Sequence, residues 1–250
     1  MSSYINKYQN LAAYTADASA RDNLGRTISM IATDGAMHYD GKLNPLGLPA
    51  FTVRCKFSSG YTPTQGVSRV CVDQTNNIWD VTLDNYQGMV EFQFDTCIEL
   101  LEILGGNLAD ATMTTGLFCD CINLTKIHSL DIHNSQRLVS MFSGCSSLTD
   151  LPKLVVGEAS LTQLFKNCTG LRKIPEFVFK GNLFFSDEAF EGCINVESGI
   201  LRLYNQIKNM PSFSHENFFK DCGTNTQSGQ AELNQIPEDW KTQDASNMEI

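Results

Sequence analysis

Residues 117–127 read LFCDCINLTKI, residues 141–152 read MFSGCSSLTDLP, and residues 164–175 read LFKNCTGLRKIP. Each run carries Phe, Cys, Leu and a further aliphatic anchor at three-residue steps. The anchors are Phe118, Cys121, Leu124 and Ile127, then Phe142, Cys145, Leu148 and Leu151, then Phe165, Cys168, Leu171 and Ile174. An earlier copy runs Phe94, Cys97, Leu100, Ile103. A degenerate copy has Phe190, Cys193 and Val196, with Ile200 displaced by one residue. The last begins Phe219, Cys222, is interrupted by GTNTQSGQAE, and resumes at Leu233 and Ile236, which makes an insertion of 8 residues. Phe-to-Phe spacings are 24, 24, 23, 25 and 29.

A fixed period with apolar anchors at constant offsets means that no single repeat buries its own apolar side. Stacking the repeats puts Phe on Phe and Cys on Cys. The period therefore predicts an α/β solenoid of about six coils of 23–25 residues. One short strand per coil is expected near the Leu-x-x-Ile segment, with neighbours ~4.7–4.9 Å apart. The Phe-x-x-Cys segment is expected as a helical turn on the opposite wall. The predicted core is Phe94, Cys97, Phe118, Cys121, Phe142, Cys145, Phe165, Cys168, Phe190, Cys193, Phe219 and Cys222.

These runs resemble the Treponema-type leucine-rich repeat of Bacteroides surface proteins and their phages. The resemblance covers about residues 94–240, and four copies match at every anchor. It implies a right-handed leucine-rich solenoid that binds or scaffolds and has no catalytic site of its own. Ahead of the repeats, INKYQNLAAYTADASARDNLGRTISMIATDGAMHYDG (5–41), FTVRCKFSSGYTP (51–63) and VDQTNNIWDVT (72–82) are similar to N-terminal modules of structural proteins in crAss-like Bacteroides phages. That similarity implies attachment to a virion, with the repeats projecting.

Four regions follow. Residues 1–50 are read as an attachment module. Tyr4, Tyr8 and Leu11 lie on one helical stripe, and Asp34-Gly35 marks a hairpin turn between two β-prone runs. Tyr4, Tyr8, Leu11, Tyr14, Ile28 and Met30 are too few for an independent core, so they are expected to dock or oligomerise. Residues 51–93 alternate apolar and polar, as in Phe51, Val53, Cys55 and Phe57, and read as a β-rich cap. Residues 94–240 are the solenoid, with Trp240 covering its end and GTNTQSGQ as a polar loop. Residues 241–250 form an acidic tail.

Composition narrows the chemistry. The chain has 250 residues, 42% hydrophobic and 18% charged, which is globular composition. A net charge of −10 with no basic segment excludes a nucleic-acid footprint. No run approaches the ~18 apolar residues of a bilayer span, so no membrane insertion is expected. Nine cysteines in a chain this long fall short of a disulfide scaffold, and the repeat thiols are expected to be reduced. Cys119, Cys121, His128 and His133 are the one candidate zinc set. Against it, Cys-x-Cys side chains diverge in an extended segment, and Cys121 belongs to the repeat, so no metal and no cofactor is assigned. The four histidines (His38, His128, His133 and His215) sit in no catalytic motif, and no phosphate-cradling glycine loop is present.

The expectation is a non-enzymatic virion structural protein, a head or tail fibre or a capsid-decorating protein. It would be a dimer or trimer, contact other capsid or fibre components, and present its repeats to a host-surface glycan or protein. The second reading is a bacterial cell-surface leucine-rich-repeat adhesin. That reading calls for a signal peptide or lipobox, whereas MSSYINKYQN shows neither pattern.

Overall fold

The computed structural model describes residues 44–211 and 213–242. Tyr4, Tyr8, Leu11, Tyr14, Ile28 and Met30, with the helix and hairpin expected around them, lie outside the described residues. So does the tail beyond Thr242.

The alternating stretch at residues 52–57 becomes β1 (Thr52–Phe57), with Val53, Cys55 and Phe57 buried. Strands β2 (Ser68–Asp73), β3 (Ile78–Thr82), β4 (Leu100–Asn107) and β5 (Lys126–Ile127) complete one sheet, in the order β2-β3-β1-β4-β5. The β2–β3, β3–β1 and β1–β4 pairs are antiparallel, and β4–β5 is parallel. The sheet thus runs from the expected cap into the first two repeats. Arg54 on β1 and Asp80 on β3 lock its outer face with paired hydrogen bonds of 2.6 and 2.7 Å. Strands β6 (Leu154–Val156) and β7 (Phe177–Phe179) make a separate parallel pair. Helix α1 (Ile200–Ile207) follows Gly199, whose φ of 100° suits only glycine, and buries Ile200, Leu203 and Ile207.

The expected α/β leucine-rich-repeat solenoid is not what forms. The described residues form one small mixed sheet and one parallel pair, joined by turns. The larger sheet belongs to a compact β-rich unit, and among the described residues no parallel sheet runs the length of the repeats. Among the described residues the helices are α1, α2 (Gln227–Leu233) and a 3-10 turn at Glu238–Trp240, and they do not line up as a wall along the repeats. The reason lies in the anchor spacing. Side chains alternate every two residues in a strand and recur every 3.6 in a helix, so anchors three apart suit neither over any length. The chain answers with successive tight turns. The displaced Ile200 starts a helix rather than ending a strand, and GTNTQSGQ is no plain loop, because its second half enters α2.

The core of the repeats is nevertheless a column. Ring centroids of Phe94, Phe118, Phe142, Phe165 and Phe190 follow one another at 5.3, 5.6, 5.4 and 5.3 Å. Phe57 of β1 heads the column, 6.4 Å from Phe94. Phe219 lies 6.1 Å from Phe190, and Trp240 ends the column 6.3 Å from Phe219. Apart from Trp240, which is 6% exposed, these rings are essentially fully buried.

Candidate functional site: the outer surface of the repeats

The surface is set by how the backbone turns around each phenylalanine. Residues two before and two after every repeat Phe have positive φ, between 53° and 73°. They are Phe92 and Thr96, Gly116 and Asp120, Ser140 and Gly144, Gln163 and Asn167, Glu188 and Gly192, Asn217 and Asp221. Alternating left- and right-handed residues aims every second amide along the stack. The amides of Phe94, Phe118, Phe142, Phe165 and Phe190 each donate to the carbonyl just before the next repeat's Phe, at 2.9–3.0 Å. The flanking amides do the same, for example Gly116 to Val139 at 2.8 Å and Asp120 to Ser143 at 2.7 Å. Buried backbone polar groups are thereby satisfied without extended strands.

The thiols extend this ladder. The Sγ of Cys121, Cys145, Cys168 and Cys193 donates to the carbonyl of Phe94, Phe118, Phe142 and Phe165 respectively, at 3.0–3.1 Å. The first repeat has no predecessor, and Gln65 Nε2 instead donates to Cys97 Sγ at 3.4 Å. All nine cysteines are free thiols. Burial pushes the Cys193 thiol up to about 12, and raises Cys121, Cys145, Cys168 and Cys222 as well. Such thiols are packing groups rather than nucleophiles.

Outside the column, charged side chains pair from repeat to repeat. Lys166 binds Glu188 and Glu191, and Lys220 binds Glu191 at 3.0 Å. The Lys166 hydrogen bond is the main cause holding the Glu188 carboxyl below its ordinary range, against the effect of burial. Glu102 of β4 is shared by Lys56 and His128, each at 2.9 Å. Ser140 donates to Gln163, which donates to Glu188.

The four zinc candidates do not converge. Cys121 is buried and bonded to Phe94, His128 to Glu102, and His133 Nδ1 to Asp131 at 2.6 Å. Cys119 lies beside Asp120, and its thiol is pushed up to about 12 by partial burial and by Asp120 and Asp95. Among the described residues, Asp95, Cys119 and Asp120 are the one group of three whose ligand atoms lie within 4.8 Å of one another. It is an exposed acidic cluster with one half-buried thiol. His215 stacks on Trp240 at 4.1 Å as part of the terminal closure. Among the described residues no helix is long and apolar enough to cross a membrane.

Among the described residues the exposed large apolar side chains are Val67 and Val70 at the sheet edge, Tyr86 and Phe92, Ile98 and Ile122 one repeat apart, and Phe184 with Phe185. Sequence reasoning missed them, because isolated apolar residues outside the anchors carry no periodic signal. It also missed the left-handed positions. One trace of them is readable, since in five of the six repeats the residue just before the Cys is a type that tolerates positive φ (Asp120, Gly144, Asn167, Gly192 and Asp221), Thr96 before Cys97 being the exception.

No protein-family model, no curated protein and no solved structure matches this chain.

Proposed function

We propose that this chain is a non-enzymatic structural protein of a phage particle, attached through residues 1–50 and displaying residues 94–240. The observation that carries the reading is the aromatic column from Phe57 to Trp240, buried along its length and closed at both ends by aromatic groups. Such a core serves as a stiff support for an outer surface that varies from repeat to repeat. The likeness of residues 5–41, 51–63 and 72–82 to N-terminal modules of crAss-like phage structural proteins supports the virion setting. The displayed surface would meet a host-surface glycan or protein, and the N-terminus a capsid or fibre component.

The test is mass spectrometry of purified particles, followed by deletion of residues 1–50. The chain is expected in the particle at a fixed copy ratio, and the truncated form is expected to be absent from it. Absence of the full-length chain from washed particles, or full occupancy by the truncated chain, overturns the reading.

A further inference from the structure

We infer that the outer edge of β2 is a self-association surface, joining two copies of this chain antiparallel, strand to strand, about a two-fold axis at Cys71. Strand β2 is the open edge of the five-stranded sheet, and among the described residues nothing pairs with its outer side. The opposite edge is not open, because Lys126 of β5 is bridged onward to Asp150.

The ladder tells which backbone groups are unpaired. Leu83 N–H donates to the Phe51 carbonyl, and Phe57 N–H to the Asn77 carbonyl. Odd-numbered residues of β3 therefore face β1, and even-numbered ones face β2, since hydrogen-bonding sides alternate along an antiparallel strand. Ser68 and Val70, opposite Thr82 and Asp80, spend their amides and carbonyls on β3. Arg69 and Cys71 then present theirs outward. A bulge between Cys71 and Asp73 leaves Val72 with no partner on β3 and sets Asp73 opposite Ile78, so Asp73 turns its amide and carbonyl to β3 and offers a second copy its side chain alone.

The side chains favour a second copy over a foreign strand. Residues 69–73 read Arg-Val-Cys-Val-Asp, charge-complementary to themselves when run antiparallel. A two-fold axis at Cys71 sets Arg69 opposite Asp73 of the second copy and Val70 opposite Val72. Opposite charges directly across a strand pair stabilise it, and like charges destabilise it. Asp73 is anionic at neutral pH, its carboxyl held below the ordinary range by hydrogen bonds from Asn76 and Thr75. Arg69 is held over the carbonyls of Thr64, Gln65 and Gly66 by one nitrogen, Nη1, which leaves the rest of its fork without a partner among the described residues. Val70 is 59% exposed and Val67 61%, so the copy-to-copy contact would cover apolar surface the monomer leaves open. Edge strands are commonly blunted by lysine, proline or a bulge; β2 carries neither lysine nor proline, and its bulge falls after Cys71, which leaves Arg69 and Cys71 open on the outer side.

The inference does not depend on the proposed function, and its test needs no particle. Sedimentation equilibrium of the full chain at tens of micromolar is expected to give twice the 27.7 kDa chain mass. Val70→Lys, at an exposed position, is expected to weaken association at least tenfold, about 1.4 kcal/mol, with an unchanged circular dichroism spectrum. Cys71→Lys, which sets two ammonium groups face to face, is expected to do the same. In the unmodified chain a short bis-maleimide is expected to link Cys71 to Cys71, with Val70→Lys abolishing the product. A monomer throughout, an oligomer that both variants leave intact, or crosslinks that avoid Cys71 overturns the inference.

Discussion

The thiol of Cys145 lies 3.1 Å from the carbonyl oxygen of Phe118, one repeat earlier, and the same bond recurs between Cys168 and Phe142. This contact explains why the position is cysteine and not another small apolar residue. It fills a slot in the core and also donates a weak hydrogen bond to a carbonyl shielded from water. Cys145→Ala is expected to cost about 1–2 kcal/mol, a cavity together with a lost bond. Urea denaturation reads it as a lower midpoint at unchanged slope. A midpoint equal to wild type means that the thiol contributes neither packing nor a bond.

Alkaline pH tests the same ladder collectively. Folded thiols have raised pKa values, about 12 for Cys193, with burial as the first cause. Unfolded cysteine titrates near ~8.5. Below that pH both states hold the proton and nothing changes. Above it the unfolded chain loses protons that the folded chain keeps, so stability falls as pH rises from about 8.5 towards 12, by up to about 1.4 kcal/mol per pH unit for each thiol. Unfolding midpoints measured from pH 7 to 10 are expected to drop steeply, and Cys168→Ala to soften the slope. A flat profile contradicts buried thiols.

Phe142 stacks between Phe118 and Phe165 at 5.6 and 5.4 Å. Phe142→Ala removes a fully buried ring, with an expected cost of about 3–5 kcal/mol. Leu148→Ala, also fully buried, is expected to cost about 2–5 kcal/mol. Either change costing below about 1 kcal/mol would show that the core relaxes around the gap far more than close packing allows.

The left-handed positions yield a prediction of opposite sign. Thr96 sits at φ 58°, where a β-branched residue is strained by about 1–2 kcal/mol. Thr96→Gly relieves that strain while raising the entropy of the unfolded chain, for a net gain of about 0.5–1 kcal/mol. Gly144→Ala goes the other way, since its φ is 73° and an added Cβ would land on the Asp120 carboxylate. Thermal melts of the two variants are expected to move in opposite directions.

Acid is expected to loosen the charge pairs on the outer wall. Glu188 has a depressed folded pKa, chiefly through Lys166, so its stabilising contribution is complete above the unfolded carboxylate pKa and is lost as pH falls through the folded value. Lys166→Met is expected to reduce that pH dependence, leaving the smaller part that comes from Gln163 and Lys220. The comparison is the slope of midpoint against pH between 6 and 3, and equal slopes in the two proteins would rule out the Lys166–Glu188 pair as its source.

The anchors were readable because they obey one arithmetic. Phe118, Phe142 and Phe165 recur at a near-constant spacing, and each needs a neighbour to be buried. The zinc candidates were discounted for a reason that also lies in the chain, the repeat role of Cys121. The architecture was misread at the step from anchors to elements. A three-residue spacing was divided between a strand and a helical turn, whereas the chain makes consecutive turns with a left-handed residue on either side of each Phe. Little in the side chains announces this. The position two before Phe holds Phe92, Gly116, Ser140, Gln163, Glu188 and Asn217, with no shared chemistry. Helix α2 was hidden likewise. QSGQAEL has ordinary helix propensity, and what holds it is the Thr226 hydroxyl accepting from Gly229 N–H and Glu232 accepting from Leu201 N–H across the fold.

Hydrophobic spacing along the chain marks side chains that the structure buries: the repeat phenylalanines, the repeat cysteines, and Val53, Cys55 and Phe57 of β1. Burial depends on side-chain type and period, and both are local properties of the sequence. Backbone handedness, the break of the parallel pairing into two small sheets, and the open edge at β2 were settled by the folded molecule. They depend on where each amide finds a carbonyl, as Phe118 N–H finds the carbonyl of Met141. Every residue but proline carries the same amide and the same carbonyl, so the letters of the sequence do not say which will pair.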